Sequence, residues 1–387
     1  MTDFLTGDTI DLSDTNFSIF TYVDSVGCTG RKMKKINLSY PLVLLLTVLM
    51  VGCTNKSKEA SNDDVATSTS DQEARIVNID FDHASEIPAD LKKKEIIRFD
   101  DDTDNFPGGI QQITVKGDTV FVVDPIKNPG LYAYLKDGTQ IFAYCYNGSG
   151  PEDIGSPMNL TVTDSEINVF DFAAKKLISF TKDGRFMHKI DLSMDVISAI
   201  KDQDGGIWMD FSNQQYGDEK LSWKKDEENN PTTVLTVPDH LKGMTIAQLM
   251  SITKLENGEL RYLPSVEPYI YELRNGKAKL IYELDFMGKW PSNEEIVERF
   301  QGNDWAPKFR NFPIRIKGFA ENNQWLVVGA NFNKELYITV YDKLEHTSRT
   351  YVDSQQEYFN PLYVVDSDLY MNRSDDGIEI LKLSSCH

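Results

Sequence analysis

Cysteine, histidine and positive charge are all scarce in this chain, and each scarcity closes a route to function. The four cysteines, Cys28, Cys53, Cys145 and Cys386, have neither the density of a disulfide framework nor the spacing of a zinc site. The five histidines, His83, His188, His240, His346 and His387, stand 41 or more residues apart, so no ligand cluster can be read from their spacing. Against 60 Asp and Glu there are 40 Lys and Arg, a net charge of −20. A surface that acidic repels phosphate backbones and excludes nucleic acid as the expected partner. Also missing are a Gly-x-Ser-x-Gly elbow, a His-Glu-x-x-His pair, a Gly-x-x-x-x-Gly-Lys-Ser/Thr loop and a Gly-x-Gly-x-x-Gly turn opening a helix. Gly148-Ser149-Gly150 is followed by Pro151 between strand-like runs, so Ser149 reads as a turn residue rather than a nucleophile. Long apolar runs are lacking too. The best, residues 41–51, has 11 residues, against the roughly 20 that a helix needs to cross the hydrocarbon layer.

That short run does suit export. Met33-Lys34-Lys35 supplies a basic start, residues 41–51 an apolar core, and Gly52-Cys53 a cleavage site. The pattern resembles the bacterial lipoprotein signal, in which the thiol is acylated and the preceding bond is cut, although Met50 stands where Leu is usual. Residues 33–52 are therefore expected to be a signal peptide, and Cys53 the lipid-bearing first residue that engages the membrane. Residues 1–32 put Asp3, Asp8, Asp11, Asp14 and Asp24 ahead of a segment that should be short and basic, and read as an over-extension at the start site. Residues 53–75 read as the lipidated cysteine and a tether: residues 54–74 are polar with almost nothing to bury, and span about 25 Å r.m.s.. Lys56 and Lys58 precede Asp63 and Asp64, which points to an outer-membrane lipoprotein facing the periplasm. Processing leaves Cys145 and Cys386 as two free thiols and a mature net charge of −19.

Beyond residue 95, short β-branched and aromatic runs alternate with tight polar turns, and helical periodicity is absent until residue 292. One turn recurs six times between paired runs, at Gly117, Ser165, Gly205, Gly258, Asn322 and Ser367, with intervals of 48, 40, 53, 64 and 45 residues. A second hairpin falls inside the same units, at Lys136-Asp137-Gly138, Lys182-Asp183-Gly184 and Asn275-Gly276. Asp-Gly and Asn-Gly supply the positive φ of tight hairpins. Two hairpins, hence four antiparallel strands, in each unit of about 45 residues make the blade of a β-propeller. The expected fold is all-β, a six-bladed β-propeller over residues 76–387. Its last unit ends before a fourth strand can form, and the run Glu95-Ile96-Ile97-Arg98-Phe99 fills that gap, closing the ring with an N-terminal strand and leaving no open edge. The longest interval marks an insertion at about residues 288–312, where Ser292 caps a short helix through Phe300 and Glu295 follows three residues later.

Two segments also resemble a known family. Gly148-Ser149-Gly150-Pro151-Glu152-Asp153 is similar to the Gly-x-Gly-Pro-x-Glu loop of six-bladed, NHL/TolB-like β-propeller lipoproteins of Gram-negative bacteria. Leu263-Pro264-Ser265 followed by Tyr269-Ile270-Tyr271 resembles the Pro-Ser…Ile-Tyr strand pair of that family. The likeness covers roughly residues 76–384, departs from the family where Asn147 replaces a common basic residue, and implies fold and export but no activity.

No cofactor is expected. Calcium is weighed at two clusters: Asp100-Asp101-Asp102-Thr103-Asp104 reads as a solvated loop, and Asp202-Gln203-Asp204 sits at one of the repeated hairpins, where turn chemistry explains it. Asp204-Gly205-Gly206-Ile207-Trp208 falls one residue short of a sialidase-type Asp box, and Trp208 is expected to pack between blades. A ligand would meet the loops that converge at one mouth of the channel. Trp290, Trp305, Phe309, Arg310 and Arg315 lie in or beside the insertion, and Tyr216, Glu267, Asn331 and Arg373 lie on other loops of that mouth. Aromatic planes and guanidinium groups suit sugars, peptides or carboxylates. The competing expectation is that the insertion's aromatics seal a small core of their own. The sequence thus points to a monomeric, non-catalytic binding or scaffold propeller that engages envelope protein or glycan partners. The alternative is a glycan- or lactone-directed hydrolase or lyase using channel carboxylates, with or without calcium.

Overall fold

The structure, a computed structural model, describes residues 73–89, 91–98, 107–145, 150, 152–211, 217–225, 230–244, 251–300, 312–373 and 377–383. Its strands form six sheets. Blade 1 holds β4 (Gln112–Lys116), β5 (Thr119–Asp124), β6 (Gly130–Leu135) and β7 (Gln140–Tyr144). Blade 2 holds β8 (Pro157–Val162), β9 (Glu166–Asp171), β10 (Lys176–Thr181) and β11 (Phe186–Asp191). Blade 3 is β12 (Ser198–Lys201), β13 (Gly206–Asp210), β14 (Glu219–Lys225) and β15 (Thr232–Thr236). In blade 4 the repeat supplies β16 (Ile252–Lys254), β17 (Leu260–Tyr262), β18 (Tyr269–Arg274) and β19 (Lys277–Asp285). Blade 5 follows with β20 (Ile314–Glu321), β21 (Trp325–Phe332), β22 (Glu335–Asp342) and β23 (Thr347–Asp353). Blade 6 has three C-terminal strands, β24 (Tyr358–Val365), β25 (Asp368–Arg373) and β26 (Gly377–Lys382), and takes its fourth, β3 (Lys92–Arg98), from the N-terminal side.

All six expected turns join the first strand of a blade to the second, and the Asp-Gly and Asn-Gly turns join the third to the fourth. Gly117, Gly138, Gly184, Gly205, Gly258 and Gly276 take the positive φ those turns need, as do Asn275 and Asp366. Closure is as expected. Strand β3 runs antiparallel to β26 with Ile97 opposite Ile378, so the ring ends on a paired strand and not on a bare edge.

Burial follows position within the blade. Every residue of the inner strand β8 is buried, whereas the outer strand β11 is largely exposed. Apolar side chains from facing sheets make the contacts between blades. Ile200, Trp208 and Leu221 meet Tyr262 and Leu273 between blades 3 and 4, which places Trp208 between blades as expected. Ile97, Ile113, Tyr132 and Ile378 seal the closing interface between blades 6 and 1.

Polar groups on the first two strands of the blades are used across blade boundaries. Gln112 accepts from Leu160 N at 2.7 Å; the Asn159 amide donates to Ile252 O at 3.0 Å and its carbonyl accepts from Ser198 Oγ at 2.8 Å. The Asn372 amide donates to Ile110 O at 3.0 Å. These amides tie blade 1 to blade 2, blade 2 to blades 3 and 4, and blade 6 to blade 1. A second recurring device is a fully buried aspartate closing the second strand. Asp124 accepts from the backbone N–H of Gly108, Gly109, Ile126, Lys127 and Asn128, and Asp171 from those of Gly155, Ser156, Ala173 and Ala174. Each carboxylate thereby pins the loop entering its blade to the turn leaving its second strand.

The N-terminal segment adds two strands outside the sixfold repeat: β1 (Arg75–Asn78) pairs in parallel with β19, Val77 opposite Leu284, and β2 (Ser85–Glu86) pairs in parallel with β23. Blades 4 and 5 therefore each carry a fifth strand. Between β1 and β2, Phe81 is wedged at the boundary of the two blades, stacked on Phe332 at 4.7 Å and 10°, with Tyr337 at 4.7 Å and Phe286 at 5.8 Å. Residues 75–88 thus run as a strap across blades 4 and 5, and β3 follows in blade 6. Among the described residues no helix is long and apolar enough to cross a membrane.

Candidate functional site

Strand direction decides which loops share a face. The connections between second and third strands, and those from one blade to the next, leave from the same side of the ring, because each strand reverses the one before it. The insertion follows β19 on that side. Its helix α1 (Asn293–Phe300) is closed by the expected reciprocal cap: Ser292 N donates to Glu295 Oε2 at 2.8 Å, and Glu295 N to Ser292 Oγ at 3.3 Å. Ile296 and Phe300 on its inner face join Phe312, Val266 and Val237, together with Leu241 from the 3₁₀ turn Asp239–Leu241. The helix of the insertion is therefore packed onto blades 3 and 4.

Trp290 is half-buried, stacked on Phe286 at 5.0 Å and edge-on to Phe312 at 5.8 Å. The Arg299 guanidinium lies 5.9 Å from the Phe312 ring. Between them runs a groove of about 580 Å³ lined by Lys289, Trp290, Glu295, Glu298, Arg299 and Pro313. Trp290 thus does both things expected of the insertion's aromatics: it helps seal a small core and it lines a groove.

The other residues proposed for this mouth divide. Arg315, at the start of β20, stands directly opposite Asn331 on β21, two residues named separately from sequence and brought together by the register. Arg373 pairs with Glu379, and Glu267 with Lys220; both pairs are largely buried. Burial and the nearby Glu379 carboxylate push the Tyr358 hydroxyl far above its ordinary pKa, so it stays protonated beside that pair. These two ion pairs are structural ties within blade 6 and between blades 3 and 4. Cys53, Tyr216, Trp305, Phe309 and Arg310 lie outside the described residues, as do Cys386, Ser149 and the aspartates of residues 100–104. Cys145 carries a free thiol, and burial pushes its pKa up.

Sequence reasoning missed several groups on this face. Lys220 carries no local mark of its role, since its partner lies 47 residues away. Val266 takes φ +50°, a conformation costly for a β-branched residue, in the step that carries the chain from Pro264 to Glu267. The two flanking prolines, Pro264 and Pro268, were the available signal of an unusual backbone there. At blade 2, Lys175 also has positive φ, at +52°. Its ammonium sits 3.6 Å over the Phe172 ring and donates to Val196 O at 2.7 Å, and burial lowers its pKa to about 8.

Two buried carboxylates, Asp210 and Glu321, are engaged by neighbouring side chains. Asp210 accepts from Ser251 Oγ and, at 3.4 Å, from Tyr262 OH. Glu321 accepts from Arg261 Nε at 2.7 Å, Lys343 Nζ at 2.9 Å and Tyr282 OH at 3.0 Å. At the Asp202 turn, one carboxylate oxygen accepts from Asp204 N and Gly206 N and the other from Trp223 Nε1, which is turn chemistry as expected. Among the described residues no three His, Cys, Asp or Glu side chains form a group able to hold a metal ion.

Solved structures share the architecture. A Bacteroides fragilis protein described as exported superposes with a TM-score of 0.65 at 17% identity, over 79% of this chain and 98% of its own. A DUF4221-family member from Bacteroides vulgatus superposes with a TM-score of 0.50 at 12% identity, over 76% of this chain and 96% of its own. At these identities the likeness is one of fold. The virginiamycin B lyase of Staphylococcus aureus, at 14% identity over 71% of this chain and 95% of its own, reaches a TM-score of 0.44, too low to carry an argument about activity. No curated protein matches the chain. The model of the DUF5128 family, described as a 6-bladed beta-propeller, matches residues 66–375, and the chain belongs to that family.

Proposed function

We propose that this chain is an exported lipoprotein, anchored through Cys53, whose propeller binds an envelope protein or glycan without catalysing a reaction. The insertion groove carries the proposal: it interrupts the repeat on the loop-bearing face and presents a half-buried Trp290 beside Lys289, Arg299, Glu295 and Glu298. An aromatic plane framed by charges of both signs suits a peptide or a sugar. Engagement of the interior carboxylates in structural bonds supports a binding role over an acid–base one. Export is supported by the Met33–Cys53 signal pattern and by the exported character of the Bacteroides fragilis neighbour.

Recovery of partners from envelope extracts tests the binding role, comparing the wild type with Trp305→Ala/Arg310→Ala and with Trp290→Ala. Loss of a specific partner in these variants is the expected outcome. An unchanged set of partners would remove the insertion face from the proposal. Mass spectrometry of the mature N-terminus tests the anchor separately: a diacyl- or triacyl-cysteine at position 53 is expected, and an unmodified residue upstream of it would overturn the lipoprotein assignment.

A further inference from the structure

A second groove, of about 740 Å³, lies at the rim between blades 4 and 5, where Met287, the residue before the insertion, is part of its lining. The strap makes it. Between β1 on blade 4 and β2 on blade 5 the chain arches over the first half of β23, whose ladder with β2 covers only Tyr351 and Val352. The arch is rigid on its inner side, because Phe81 is buried among rings of both blades and Ile79 N donates to Asp285 O at 2.7 Å. Lys289 pairs with Asp82 at 2.9 Å and fixes its outer side.

The groove is polar and its donors are oriented. Asn78, His83, His346, Ser348, Arg349 and Thr350 line it. His83 Nδ1 is held by Asp80 Oδ2 at 2.8 Å and His346 Nδ1 by Tyr341 OH at 3.1 Å, which leaves both Nε2 atoms unbonded among the described residues. Asp80 is the one carboxylate of the lining, and its oxygens are engaged by Asp82 N, His83 N and the His83 ring. Arg349 is exposed and makes no ion pair among the described residues, in a chain with 60 acids for 40 bases. An unneutralised guanidinium in so acidic a protein, surrounded by hydroxyls, an amide and two imidazoles each held by one hydrogen bond, has the composition of a site for one anionic group on a polyhydroxylated ligand. The volume falls within the roughly 300–1,000 Å³ of small-ligand clefts.

We infer that the rim groove binds an acidic saccharide, with its carboxylate or phosphate on Arg349 and its hydroxyls on Ser348, Asn78 and the imidazole Nε2 atoms, while the Thr350 hydroxyl is held by Asp80 N and Thr339 Oγ1. This site shares no lining residue with the insertion groove, and its ligand is tested apart from that groove's.

Calorimetric titration of the purified protein in detergent tests the inference with four probes: digalacturonate, mannose 6-phosphate, neutral galactobiose and inorganic phosphate. At least one acidic sugar is expected to bind ten-fold or more tighter than galactobiose, and the two acidic sugars separate carboxylate from phosphate recognition. Arg349→Gln, a change on an exposed side chain, is expected to weaken that binding at least ten-fold with an unchanged melting temperature. Acidic sugars binding no better than galactobiose would overturn the proposal, as would an Arg349→Gln variant of wild-type affinity. Inorganic phosphate binding as tightly as the sugars would overturn the saccharide assignment.

Discussion

Replacing Phe81 with Ala asks whether the strap is part of the cooperative fold or a covering laid over blades 4 and 5. The ring is 5% exposed and touches three other rings, Phe332, Tyr337 and Phe286. A buried Phe removes on the order of 150 Å² or more from water, which at about 25 cal/mol per Å² gives an upper figure near 4 kcal/mol. The pairing with neighbouring rings adds about 1 kcal/mol. The strap is a peripheral element and can partly collapse onto the space left behind, which lowers the cost of the cavity. A loss of about 3 kcal/mol is the result.

Urea unfolding of wild type and Phe81→Ala measures that loss, and Phe81→Leu should recover more than half of it by refilling most of the volume. Hydrogen exchange supplies the second readout. The Ile79 amide, bonded to Asp285 O, should exchange faster in Phe81→Ala, since the Phe81 side chain holds the arch against both blades. Global stability within about 0.5 kcal/mol of wild type, with Ile79 exchange unaltered, would refute the wedge argument.

Three further perturbations follow from single sites. Glu267→Gln leaves the Lys220 ammonium buried without its counter-charge and should cost about 3–5 kcal/mol, while Lys220→Met/Glu267→Leu should restore most of the loss in a urea-unfolding double-mutant cycle. Asp171→Ala removes the acceptor of four backbone N–H groups and should cost about 3 kcal/mol or more by the same assay, with Asp171→Asn losing less because one oxygen remains. For Lys175 the folded pKa is about 8 against a reference of 10.5, so the charged form is disfavoured in the fold. Its cost is present in full below pH 8 and fades as pH rises toward 10.5, because there the unfolded chain binds the extra proton. The stability difference between Lys175→Met and wild type should therefore move by about 2 kcal/mol in favour of wild type between pH 7.5 and 9.5. A pH-independent difference would show that Lys175 titrates normally.

Much of the fold was legible because it is written locally and repeatedly. The turns at Gly117, Ser165, Gly205, Gly258, Asn322 and Ser367 each needed only their own few residues to be recognised, and their count gave the number of blades. The Ser292/Glu295 cap was legible for the same reason. The strap was not. Its strands are four and two residues long, and Phe81 takes its meaning from Phe332, which is 251 residues further on. Parallel addition to β19 and β23 leaves no hairpin signal, since parallel neighbours are not joined by tight turns.

The candidate site divides along the same line. Several residues named for the loops of one face lie outside the described residues, and for the others a charge on a loop does not disclose whether it is spent. Arg373 and Glu267 read from sequence as available to a ligand, and each is committed to a partner, Glu379 six residues away across a hairpin and Lys220 in the preceding blade. Arg349, on an ordinary outer strand, drew no attention, and His346, at a third-to-fourth-strand turn, was set aside with the other histidines on spacing alone. Their interest arises only once the N-terminal arch, 263 residues earlier, brings His83 against them. In a propeller the repeat therefore reports the scaffold, while departures from the repeat, here the insertion and the strap, build the two grooves. Binding specificity in this fold is accordingly expected to follow the non-repeated segments rather than the blades, and exchanging residues 75–88 or 288–313 between relatives should transfer binding while leaving the six-bladed ring intact.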